Sequence, residues 1–148
     1  MKSINARMFL VAAATVFALA GCGTNVMTLP VAPVTGNTGD TAAQDVALYF
    51  GDQPHPVVQR EIDSVRTDVH IARQLDHSSN EASCNQALGQ ALDRLRSGAR
   101  KRGANAVIGI STRFHNQTNT SPDTYTCGIS PGAVALYVYG HAVVLKGE

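Results

Sequence analysis

Tryptophan is absent from this chain, and eight aromatic residues (four Tyr, four Phe) are all it has among 148. A core must therefore be built mainly from Val, Ile, Leu and Ala. Charge is sparse and nearly balanced, with 12 basic against 11 acidic residues. That balance gives no footing for binding nucleic acid or another polyanion, which calls for a basic surplus. There are only three cysteines, and neither a Cys-x-x-Cys pair nor a His-x-x-x-His cluster accompanies them. No Gly-rich phosphate loop, serine elbow or nucleophile–base–orienter set is present, so nothing predicts an enzyme or a bound cofactor. The longest apolar run, Met8 to Ala20, is interrupted only by Thr15. It is too short for a membrane-spanning helix, which needs about 20 residues.

What that run does resemble is a secretory leader. Lys2 and Arg7 precede it without any acid, and Leu19-Ala20-Gly21-Cys22 closes it. A cationic start, a short apolar stretch and small residues at the cut form a signal peptide. The last four residues have the form of a lipobox, in which the cysteine is acylated and becomes the mature N-terminus. The expected organisation is a signal peptide over 1–21, lipid-modified Cys22 with a disordered tether over 22–43, and one folded domain over 44–148. Two or three acyl chains, at about 0.8 kcal/mol per buried methylene, hold such a protein in the bilayer. Gly23 stands where Asp would favour the inner membrane in the lipoproteins this start resembles. The expected location is therefore the outer membrane, facing the periplasm.

In the tether, Pro30, Pro33, Gly36 and Gly39 interrupt a stretch with no charge before Asp40. Such a composition predicts a flexible linker, with a reach of about 70 Å if fully drawn out. The two cysteines left after acylation, Cys84 and Cys127, form an even pair in an oxidising compartment, where a disulfide is the default. A dithiol metal site is the alternative.

Val46–Phe50 predicts a short strand ended by Gly51-Asp52. Val65, Thr67, Val69 and Ile71 alternate with Arg66, Asp68, His70 and Ala72, so a strand with one buried face is expected, its start reaching back as far as Val57. Ser78 with Glu81, or Ser83 with Gln86, has capping-box spacing. Cys84, Leu88, Ala91, Leu92, Leu95 and Ala99 then recur at helical spacing up to Gly103, which predicts an amphipathic helix with Cys84 on its inward side. Ala104–Phe114 returns to strand character, 115–131 reads as a long polar loop holding Cys127, and Ala133–Leu145 is apolar on both parities, hence a central strand. The fold class is α+β: a small antiparallel-rich sheet in the order β-β-α-β-β with one helix packed on one face.

The stretch Gly103-Ala104-Asn105-Ala106-Val107-Ile108-Gly109-Ile110, between helix and strand, resembles the signature of the YbjQ-like domains. These are small, often oligomeric and sometimes labelled heavy-metal-binding. With the lipobox and the cysteine pair, the layout is similar to the RcsF-type outer-membrane lipoproteins, which sense envelope stress. The likeness covers about residues 62–146. It places Cys84 and Cys127 on one of the two disulfides of that type, while the other falls on Thr112 and Val138.

Candidate contact residues are few. Arg94, Arg96, Arg100 and Lys101 make the outer face and end of the helix basic, which either complements the helix dipole or meets an acidic partner or lipopolysaccharide phosphate. Tyr137 and Tyr139 either pack on the sheet or anchor a partner, and His141 lies on their face. The five histidines show no metal-ligand spacing beyond His70 and His77, so no metal site is expected. The leading expectation is a non-enzymatic outer-membrane lipoprotein that touches the bilayer through Cys22 and envelope proteins through its domain, with envelope-stress sensing implied by the resemblance. A metal-binding oligomer and a structural peptidoglycan-associated lipoprotein are the rival expectations.

Overall fold

A computed structural model describes residues 23–35, 46–73 and 79–147. The leader, Cys22, the 36–43 part of the expected tether, His77 and the Ser78 cap lie outside the described residues.

The chain runs β1 (Asn25–Pro30), α1 (Ala32–Thr35), β2 (Ala47–Phe50), β3 (Val58–Ala72), α2 (Asn80–Lys101), β4 (Ala106–Phe114), β5 (Gln117–Asn119), β6 (Thr124–Ile129) and β7 (Ala133–Leu145). The strands form one mixed sheet in the order β1-β6-β7-β4-β2, with β3 on the other side of β7 and β5 on β4. Every pairing is antiparallel except β2 with β4. The α+β class is as expected, and the sheet is larger than β-β-α-β-β.

β7 is the centre, its even-numbered side buried under α2 and its odd-numbered side covered only near Val143 and Leu145. β3 lines one of its edges for the whole length, from Val58↔Leu145 to Ala72↔Ala133. The other edge is shared by β4 and the end of β6. β4 carries a bulge between Ile108 and Ser111, where Gly109 adopts φ 61°. A side chain at that left-handed position would be strained, so glycine suits the bulge.

Helix α2 covers one face of the sheet. Cys84, Ala87, Leu88, Ala91, Leu92, Leu95 and Ala99 make its buried stripe, against Val65 and Val69 of β3, Val107 and Ile110 of β4, and Val134, Leu136 and Val138 of β7. The N-cap is Ser79, one residue beyond the first of the two expected caps. Its Oγ accepts the Ala82 N–H at 3.0 Å, which satisfies one of the free amides at the helix start. At the other end Gly103 (φ 76°) donates to the Arg100 carbonyl and Ala104 to that of Ala99, the paired closure that a left-handed glycine permits.

Two expectations are corrected. Residues 25–35 are not a disordered tether. β1 pairs with β6 from Asn25↔Ile129 to Pro30↔Thr124, burying Leu29, and α1 packs against α2. Met27 and Leu29 alternate with outward Val26 and Thr28, a period-two signal hidden by the neighbouring prolines. Without this strand, β6 would expose a row of unpaired amides and carbonyls. The expected loop over 115–131 is likewise largely strand. A tight turn at His115 (φ 50°) and Asn116 leads into β5, and β6 then lies almost wholly buried. Its Thr-rich sequence reads as polar, but Thr126 donates its N–H to Thr112 Oγ1 at 2.8 Å instead of to water.

Candidate functional site

The face of the sheet away from α2 is partly covered at one end, where Ala106, Val143 and Leu145 form a small buried cluster with Tyr49, Val58 and Ile108. The rest of that face is open, and the pairing register composes it. On β3 the even-numbered residues point away from the helix; on β7 the odd-numbered ones do. One rung therefore runs Arg66–Tyr139–Ser111 across β3, β7 and β4, and the next runs Asp68–Tyr137–Arg113. A third holds Ser64, His141 and Ile108.

Tyr137 and Tyr139 are half-buried in this row, while Arg66, Asp68, Arg113 and His141 are exposed. The Arg113 guanidinium lies 5.2 Å from the centre of the Tyr137 ring, a cation–π contact that holds it over the sheet. The Tyr139 and His141 rings meet edge to face at 5.1 Å. Arg66, Ser111, Arg113, Thr118, Tyr137 and Tyr139 together line a groove of about 300 Å³. A second hollow of about 310 Å³ adjoins it, between Asp68, His70, Phe114 and His115. Among the described residues ion pairs form only between Arg96 and Asp93 and between Arg102 and Asp63, so the open-face arginines keep their charge for solvent or a ligand. Tyrosine and arginine in this setting are the residue types that anchor protein contacts, since each offers a large rigid surface with a polar tip.

The expected basic face of α2 loses one of its four members, Arg96. Arg96 is only 8% exposed and lies 3.5 Å from Asp93, and its Nε is buried without a hydrogen-bond partner. Burial lowers its pKa, partly offset by the Asp93 charge. The helical period explains this: Arg96 follows Leu92 by four residues and shares its side. Arg94 is exposed and donates to the Asp68 carbonyl at 3.1 Å, and Arg100 and Lys101 stand exposed at the helix end.

Cys84 and Cys127 are joined, with Cα atoms 6.0 Å apart and both residues fully buried. The bridge ties the first turn of α2 to β6, a strand and not the expected loop. Nearby, the Tyr125 hydroxyl donates to Asn85 Oδ1 at 2.6 Å, making a second tie between the same two elements. Burial, and more weakly the Glu81 charge, push the Tyr125 pKa well above the usual phenol range. Thr112 and Val138 face each other across β4 and β7, both buried, so packing holds this pair of strands, while the Thr126 N–H to Thr112 Oγ1 bond ties β6 to β4.

Of these features, Arg66, Ser111 and Arg113 escape sequence reasoning as site residues. Each is visible as the outward member of an alternating strand, but only the register sets them beside Tyr137 and Tyr139.

Residues 76–146 match the model of the YbjQ_1 family, whose description reads "Putative heavy-metal-binding". The match supports the YbjQ-like likeness over that part of the chain. No curated protein and no solved structure matches. The residues present do not fit a heavy-metal centre: both cysteines of the matched segment are consumed in the bridge. Among the described residues no three His, Cys, Asp or Glu side chains converge, whereas such a centre draws on three or four ligands.

Proposed function

We propose that this chain is an envelope lipoprotein, cleaved after Gly21, acylated at Cys22 and held on the periplasmic side of the outer membrane. Its YbjQ-like domain works by protein contact and not by catalysis, in the manner of the RcsF-type stress-sensing lipoproteins. The lipobox and the oxidised Cys84–Cys127 pair support the compartment, because a stable disulfide suits a space outside the cytoplasm. The observation that carries the contact role is the pair of open rungs, Arg66–Tyr139–Ser111 and Asp68–Tyr137–Arg113, on a face the helix leaves bare. A photo-crosslinking residue in place of Tyr139, in cells, tests it: adducts with an envelope protein are expected from that position and not from Asp93 on the helix. Adducts absent from the open face, or equally strong from the helix, would overturn the reading.

The heavy-metal-binding wording of the family description favours metal binding as a second reading. Elemental analysis of the purified mature protein decides it, since a stoichiometric transition metal would displace the contact role as the leading function.

A further inference from the structure

An ordered β1 changes what an anchor at Cys22 would do. A disordered tether would let the domain drift tens of ångströms from the bilayer. Strand β1 instead begins at Asn25, and three extended residues span only about 10 Å. That leaves almost no slack between the lipid and the edge of the sheet.

The register shows which end of the domain is brought down. Asn25 pairs with Ile129, Ile129 with Val134, and Ala133 with Ala72. The Arg73 N–H donates to the Gly132 carbonyl. Four strand ends and the Ser130-Pro131-Gly132 turn thus make one pole of the molecule, immediately beside the anchor. Arg73 is the single charge among the described residues of these strand ends and the turn, with the exposed Glu81 in the neighbouring first turn of α2, and the buried Arg73 Nε has no hydrogen-bond partner. A guanidinium at this position suits the phosphates of a lipid surface. The opposite pole lies at the far end of β7, whose 13 residues rise about 40 Å. There the Lys146 N–H donates to the Val57 carbonyl, and Val57 is 73% exposed. The helix follows the same axis. Its first turn is tied to β6 at Cys127, two residues from Ile129, and its C-terminal side reaches Asp63 through Arg102.

Resting on the reading of Cys22 as the lipid anchor, we infer that the pole of residues 23–25, Arg73 and the 130–132 turn sits on the phospholipid headgroups. The strands then stand away from the bilayer, the Val57–Lys146 pole projects outward, and the open Tyr137–Tyr139 face looks sideways. It is neither pressed against lipid nor free to tumble. The partner of the lower pole is the membrane surface itself.

Depth measurement on the acylated protein tests the pose. A small fluorophore is attached through an encoded azide at position 132 or at position 57. Both sites tolerate it, because a Cβ on Gly132 meets nothing within 4 Å and Val57 already faces solvent. Mature protein purified from membranes is placed in vesicles of phosphatidylethanolamine and phosphatidylglycerol carrying headgroup spin labels. Quenching at position 132 is expected to exceed that at position 57 at least threefold. Equal quenching, or stronger quenching at 57, overturns the pose. Intact mass of the same sample reports the anchor separately. Acyl chains on Cys22 with equal quenching remove the pose alone, while an unacylated Cys22 removes both pose and anchor.

Discussion

Reduction of the Cys84–Cys127 bridge is the perturbation whose size the structure states most directly. The two residues are 43 apart in sequence. In the chain-entropy treatment, opening a loop of that length restores freedom to the unfolded chain worth about 4 kcal/mol at 25 °C. Domains of this size are stable by only about 5–15 kcal/mol, so reduction should remove roughly a quarter to four-fifths of the stability. The bridge is fully buried between α2 and β6, so a reductant reaches it only when those two elements separate. Two results are therefore expected. Urea unfolding of the mature domain, oxidised against reduced, should show a loss of about 4 kcal/mol, and native protein should be reduced no faster than it unfolds. A loss below about 1 kcal/mol would refute the entropic argument, and rapid reduction of folded protein would refute the burial.

Further tests follow from the same packing. Tyr125→Phe removes the hydroxyl that donates to Asn85 and should cost about 1 kcal/mol in urea unfolding. The raised pKa of Tyr125 also gives a pH signature. The unfolded chain loses that proton near pH 10 while the folded one retains it, so this group destabilises the fold progressively above pH 10 and has no effect below it. The alkaline decline should be shallower in Tyr125→Phe, and identical pH profiles would contradict the assignment. Gly128→Ala would drive a methyl into the Phe114 ring, with an expected loss of about 1–3 kcal/mol by thermal unfolding. Phe114→Leu in the same chain should recover part of it, and no recovery would place the strain elsewhere. Arg96→Met replaces a buried guanidinium whose Nε has no partner, and its effect should be neutral or stabilising. A fall in the urea midpoint equivalent to about 2 kcal/mol would show that its contact with Asp93 matters more than its desolvation.

How much of this was legible differs by element. Helix α2, its stripe from Cys84 to Ala99 and its stop at Gly103 are all in the residues, because a helix satisfies its own backbone within a few turns. β7 matched its expected limits because a strand apolar on both parities has to lie inside a sheet. β1 and β6 were hidden for the converse reason: short, Thr-rich and next to proline, they are strands only because each supplies the other's hydrogen bonds. The charge of Arg96 points to solvent, whereas the helical period puts it beside Leu92.

Local pattern alone settled the class of fold, the inward cysteine of the helix and the central strand, since these depend on periodicity within a single segment. Tertiary structure decided where the N-terminal segment goes, which strand receives the bridge, and that Arg66, Arg113, Tyr137 and Tyr139 share one face. Those outcomes rest on pairing register between residues up to about a hundred positions apart. No window along the chain carries that information, because the free energy that selects a register exists only once both strands are in place.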